Sequence, residues 1–140
     1  MPSTVHREPS TGKLATTAVG GLSANLLFGA AAPIGYLVAG WGDAIAEPVG
    51  ARWGRHRYRV PSIAGVPATR SLEGSAAVLC VGSLAAFVGL GLAGVPTPFA
   101  LAVAAACGAA GAIVEAASNH GLDNLTVQLA AAGTAYFFLP

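Results

Sequence analysis

Long apolar runs separated by short polar or Gly/Pro-rich breaks dominate this chain. Crossing a bilayer takes about 20 mostly apolar residues, because a helix rises about 1.5 Å per residue through roughly 30 Å of hydrocarbon. Five stretches approach that length: 14–32, 34–47, 74–92, 99–117 and 122–138. Pro33 forces a turn after the first stretch. Pro48 and Gly50 end the second, and the sequence Gly-Val-Pro-Thr-Pro at 94–98 separates the third from the fourth. The second stretch is short and carries Asp43 and Glu47. The pattern predicts an all-α polytopic membrane bundle of about five transmembrane helices. Its expected layout is a cytoplasmic segment 1–13 and one transmembrane domain, 14–140, with a cytoplasmic basic loop at 48–73. His6, Arg7, Glu8 and Lys13 precede the first run and no clear cleavage site follows it, so that run is read as a span and not as a signal peptide.

Composition narrows the class. Only 9% of the 140 residues are charged and 54% are apolar, whereas soluble domains carry about 25% charge to solvate their surface. Intrinsic disorder needs the opposite balance. A net charge of +1 excludes a strongly cationic nucleic-acid binder. Two cysteines, Cys80 and Cys107, give no disulfide or zinc pattern and are read as small packing residues. Ala104, Gly108 and Ala112 put small side chains at four-residue spacing, which suits close helix contact. Asn25, inside the first span, is expected to hydrogen-bond between helices. A homodimer is compatible with such a small bundle, and no residue specifies it.

The charges are one-sided. Arg52, Arg55, Arg57, Arg59 and Arg70 fall in the single long loop, and basic short loops stay cytoplasmic. Threading five spans from there brings Arg7, Lys13 and the turn at 118–121 to the same side and leaves the two outer turns uncharged. Topology alone accounts for the arginines. It does not account for Glu8, Asp43, Glu47, Glu73, Glu115 and Asp123, which map to the same face, because acids contribute little to orientation. Carboxylates within apolar segments are costly and usually functional.

Asp43 and Glu47 are four residues apart and share a helix face. The pair is open to two readings: an ion pair with Arg52 or Arg55, or a site for a hard divalent cation such as Mg²⁺, which favours oxygen ligands and pairs with nucleotide phosphates. Gly50–Arg59 alternates cations with aromatic and small residues. Its arginine forks suit phosphate oxygens, and equally suit anionic lipid headgroups. Ser71 is a candidate N-cap with Glu73 in the first turn; the same turn with Arg70 is a candidate anion site. Asp123 is read first as a cap for the last helix, and His120 as a polar residue at headgroup depth.

Taken in order, Gly42-Asp43-Ala44 with Glu47, Gly50 and Gly54-Arg55-His56, then Arg70-Ser71-Leu72-Glu73-Gly74-Ser75, then Glu115 and Asp123-Asn124-Leu125-Thr126 resemble the dolichol kinase, phytol kinase and CTP-dependent diacylglycerol kinase family. Phosphatidate cytidylyltransferases are more distantly similar. The resemblance covers roughly residues 40–128, and members of the family are generally longer, with additional N-terminal spans. It implies an integral membrane lipid-alcohol kinase with CTP as donor and Mg²⁺ as cofactor, acting on phytol, farnesol, a polyprenol or dolichol, or diacylglycerol. By that resemblance Asp43 is essential and metal-linked, and Glu115 and Asp123 complete the polar site; Asp43 or Asp123 is the candidate to orient the reacting hydroxyl or take its proton, and Glu47 and Glu115 are further candidate metal ligands. Gly50, Arg52, Arg55, His56, Arg57, Arg70, Ser71, Glu73, Gly74 and Asn124 form the nucleotide and phosphate site. Cytidylyltransferases carry a Lys-Asp pair before a His-Gly-Gly and Asp-Arg ending. Here residues 119–124 lack the Lys-Asp pair and have Asn124 in place of Arg, which favours the kinase branch. Nucleotidyl transfer, or a non-catalytic membrane protein binding anionic lipid or a partner, are the alternatives.

Overall fold

The computed structural model describes residues 11–61, 68–119 and 121–140; Arg7, Glu8 and His120 lie outside them. Helix α1 (Thr11–Phe28) passes through a 3₁₀ turn (Gly29–Ala31) into α2 (Ala32–Trp53). Pro33 sits in the first turn of α2, where its missing N–H forfeits no bond. Strands β1 (Arg57–Val60) and β2 (Ala68–Ser71) pair antiparallel, followed by α3 (Leu72–Leu92), α4 (Thr97–Ala117) and α5 (Asp123–Phe138). Each expected apolar stretch thus forms a helix, with boundaries shifted by a few residues.

Two expectations need correction. The second stretch does not stop at Pro48: α2 runs on to Trp53 with Pro48 inside it. Proline removes one backbone donor from a helix, and here that loss falls on an exposed position. The helix ends instead at Gly54, whose N–H closes on the Gly50 carbonyl at 3.0 Å. The segment 48–73 is therefore not one loop. It holds the last turn of α2 and a hairpin in which Tyr58 lies opposite Arg70 and Arg57 opposite Ser71. The alternation in β1, with Arg57 and Arg59 exposed and Val60 buried, is the two-residue period of a strand.

Helices α2, α3, α4 and α5 pack around one another, and α1 lies mainly against α5. The core is built from small and medium side chains: Ile34, Val38, Ala86, Leu90, Val103, Cys107, Val127 and Ala131. Gly108, in the expected small-residue stripe, lies where α3 and α4 approach closely. A Cβ there would lie 2.7 Å from the Ser83 nitrogen. Asn25 donates from Nδ2 to the Tyr36 hydroxyl, linking α1 to α2 as expected. Cys107 is buried, whereas Cys80 faces outward.

Large apolar side chains line the outside, including Leu22, Leu26, Leu84, Leu92, Ile113 and Phe137. Small residues within and large apolar residues without are the arrangement expected of helices in lipid, where close packing replaces hydrophobic collapse. Three helical runs are long and apolar enough to cross a membrane: the 43-residue Thr11–Trp53, Leu72–Leu92 and Thr97–Ala117. The first two expected spans are joined in the 43-residue run, and α5 has 16 residues. Because the helices alternate in direction, the start of α1, the end of α2, the hairpin, the start of α3, the end of α4 and the start of α5 meet at one end. The charged residues meet there with them.

Candidate functional site

Arg70 organises that end. It is the third residue of β2, and pairing with Tyr58 fixes its backbone. Its Nη1 donates to Glu115 of α4, and its Nη2 donates to Asp123 Oδ2 of α5 at 3.0 Å and to the Ser118 carbonyl at 3.1 Å. The side chains of Arg70, Glu115 and Asp123 are 9%, 9% and 5% exposed. A guanidinium fork suits two carboxylates at once, so one residue of the hairpin ties α4 to α5. Its Nε is buried without a hydrogen-bond partner, an arrangement that costs about 1–3 kcal/mol unless a ligand accepts from it.

The surrounding contacts fix this group. Asp123 Oδ1 accepts from the backbone N–H groups of Gly121 and Asn124 at 3.1 and 3.0 Å, which holds the carboxylate in place to receive Arg70; it does not form the expected cap of α5, whose N-cap position is Leu122 with no side-chain cap bond. Ser75 Oγ donates to Glu115 Oε2 at 3.4 Å and lies 2.9 Å from the Tyr58 hydroxyl. Ser71 caps α3 by accepting from the Gly74 N–H at 3.1 Å. Gly54 lets the end of α2 pass against that cap. A Cβ there would sit 2.2 Å from the Gly50 carbonyl oxygen and 2.9 Å from Ser71 Oγ.

Beside Arg70 opens a cavity of about 300 Å³, lined by Lys13, Asp43, Glu47, Gly50, Arg57, Thr69, Arg70, Ser71, Gly74, Ser75 and Glu115, among others. That volume is at the lower end of small-molecule sites, roughly 300–1,000 Å³. Asp43 and Glu47 enter it from one face of α2, as their spacing predicts. Opposite charges face them: Lys13 from α1, Arg57 from β1 and Arg70 from β2. Asp43 lies within electrostatic range of Asp123, Lys13, Glu47 and Arg70. For Mg²⁺, the donor set fits in one respect: two carboxylates on adjacent turns share the cavity, and this ion is usually held by one or two carboxylates plus phosphate oxygens and water. Among the described residues no group of three or more His, Cys, Asp or Glu side chains converges on a single ion position.

Of the expected site residues, Asp43, Glu47, Gly50, Arg57, Arg70, Ser71, Gly74 and Glu115 line this cavity, and Asp123 stands directly behind Arg70. Others lie elsewhere. Arg52 stacks on Trp53, 5.6 Å from its ring centre, and Arg55 is exposed and does not line the cavity. His56 and Glu73 pair with each other, Nδ1 to Oε1 at 2.7 Å, and the Glu73 carboxylate also accepts from the His56 backbone N–H. That contact pins the hairpin base to α3. Asn124 borders a different cavity and donates to Thr17 Oγ1 at 3.0 Å. Lys13, Thr69 and Ser75 were not anticipated. Ser75 follows the Arg70–Gly74 motif directly and carried a signal; Lys13 looks like any charge ahead of a span until α1 folds against α5.

With this geometry in place, comparison with known proteins is informative. The chain is 41% identical over 101 residues, 72% of its length, to a protein described as phytol kinase from Synechocystis sp. (strain ATCC 27184 / PCC 6803 / Kazusa). Over that stretch the chain belongs to the phytol and dolichol kinase family. The chain covers 41% of that relative's own length. No family model matches the chain, and no solved structure does.

Proposed function

We propose that the protein is an integral membrane kinase that transfers the γ-phosphoryl group of CTP to a lipid alcohol at the cytoplasmic surface. The observation that carries this reading is the charged cavity beside Arg70, in which two carboxylates of α2 face three cations. The kinship with a phytol kinase supplies the reaction class. Phosphoryl transfer demands mainly positioning and charge neutralisation, and this lining offers both.

In this reading Arg57 and Lys13 hold phosphate oxygens, and the unpartnered Nε of Arg70 donates to one more. Ser71 and Gly74 bring the first turn of α3 close, where its N–H groups and dipole favour an anion. Asp43 and Glu47, with Glu115 at the edge, would hold Mg²⁺, which when bound neutralises charge on the triphosphate. Asp43 accepts the proton of the attacking hydroxyl. Asp123 acts through Arg70, keeping the guanidinium in place. The basic end faces the cytoplasm by the positive-inside tendency, with α1 to α5 each crossing the bilayer.

The test is direct. Purified protein in lipid, with Mg²⁺ and γ-labelled CTP, is expected to label phytol, farnesol, a polyprenol or diacylglycerol and to release CDP. Release of pyrophosphate would identify nucleotidyl transfer instead. Absence of CTP binding by a folded sample would overturn the catalytic reading altogether.

A further inference from the structure

A second cavity, of about 360 Å³, lies between α1, α2 and α5 and is lined by Thr17, Gly21, Tyr36, Ala39, Gly40, Asp43, Asn124 and Gln128. Asp43 is the described residue common to this cavity and the charged one. We infer that this second cavity receives the hydroxyl end of the lipid alcohol, with Gln128 accepting a hydrogen bond from it; the inference rests on the kinase reading above.

The chemistry of the walls selects a neutral donor. Gln128 is 4% exposed, and its Oε1 is buried with no hydrogen-bond partner. A buried acceptor left unmet is costly, about 1–3 kcal/mol, so a group bearing a proton is favoured beside it. The neighbouring polar groups already have partners. Tyr36 donates its hydroxyl proton to the Gly21 carbonyl at 2.9 Å, and Asn124 Nδ2 donates to Thr17 Oγ1. Asp43 is the charged residue in the described lining, and an anionic headgroup would meet both its carboxylate and the Gln128 acceptor. An alcohol O–H satisfies the acceptor without that repulsion. Gly21, Ala39 and Gly40 supply a smooth wall, and the outer side of α1 presents Val19, Leu22 and Leu26 to lipid, so a hydrocarbon tail has an apolar exit.

The arrangement also places the two substrates on opposite sides of Asp43. The hydroxyl oxygen forms its bond to the γ-phosphorus of the nucleoside triphosphate, the bond to the bridging β–γ oxygen breaks, the nucleoside diphosphate leaves, and the hydroxyl proton passes to the Asp43 carboxylate. Gln128 is a positioning residue in this scheme and does not exchange protons.

Two measurements on the full chain test the inference. A prenyl alcohol bearing a diazirine beside its hydroxyl is photolysed with the protein, without nucleotide. Label is expected within residues 17–21, 36–40 or 124–128 and is expected to be competed by farnesol. The substitution Gly40→Leu fills the cavity from a position where a new Cβ meets nothing within 4 Å, and should cut that label at least fivefold. In steady-state assays Gly40→Leu and Gln128→Leu should raise KM for farnesol at least tenfold and leave KM for CTP within twofold. Label at 17–21 or 36–40 with no transfer from CTP would sustain the alcohol site and refute the kinase. Transfer from CTP with label confined to the outer leucines, or with an unchanged farnesol KM in both variants, would refute the alcohol site and leave the kinase standing.

Discussion

Arg70 satisfies two buried carboxylates, on α4 and α5, from a strand neither helix touches in sequence. Removing it leaves Glu115 and Asp123 facing each other without a cation. Breaking a buried ion pair by deleting one partner costs about 3–5 kcal/mol, so Arg70→Met should lower the midpoint of thermal unfolding in detergent markedly. Arg70→Lys restores one charge but not the fork, and should recover part of that stability while turnover stays at least about tenfold below wild type. Equal stability of Arg70→Met and wild type would mean that the cluster does not hold the bundle together. Asp43 is different, because it lines open space and forms no salt bridge among the described residues. Asp43→Asn is expected to leave the unfolding midpoint nearly unchanged and to reduce turnover about 10²-fold or more, the range for loss of a general base. The chain's carboxylates were legible in sequence as a group, because acids in apolar segments are conspicuous. Which of them Arg70 would pair with was not, since Arg70 lies 45 and 53 residues from its two partners and their meeting is a product of the fold.

The helices themselves were readable from length and apolarity, and their ends less so. Pro48 and Gly50 look like a stop, yet α2 continues to Trp53: Pro48 is exposed, so water can serve the carbonyl that loses its donor, and Gly50 and Gly54 pack against Ser71. The hairpin was hidden for another reason. Its inward positions, Tyr58 and Val60, alternate with Arg57 and Arg59, which also explain themselves as a topology signal. Glycine at 108 was legible as a helix-contact residue, and its consequence is measurable. Gly108→Ala forces a methyl to within 2.7 Å of the Ser83 nitrogen, and overpacking of that kind costs about 1–3 kcal/mol. Gly40→Ala, where nothing lies within 4 Å of the new Cβ, should be close to neutral. Thermal scans of the two variants side by side check this, and equal midpoints would contradict the close α3–α4 contact.

All the described charges gather at one end of a bundle whose sides are apolar, and that polarity defines how it should sit in a bilayer. In a background with Cys80 and Cys107 replaced by alanine, Arg59→Cys should react with a membrane-impermeant thiol reagent only from the cytoplasmic side, and Thr97→Cys only from the other. Both residues are exposed, so labelling of the two from the same side would overturn the topology. What no reading of apolar runs reveals is that the charged end holds two cavities meeting at Asp43. Asn124 and Gln128, two amides one turn apart in an apolar helix, are the sequence sign of the second. The decisive measurement is transfer of label from γ-labelled CTP to a lipid alcohol by the purified chain in lipid, wild type against Asp43→Asn. The account predicts a phosphorylated alcohol and CDP from the wild type and next to none from the variant, with both equally folded. Equal transfer by the two, or none by a folded wild type across the alcohol panel, would contradict it.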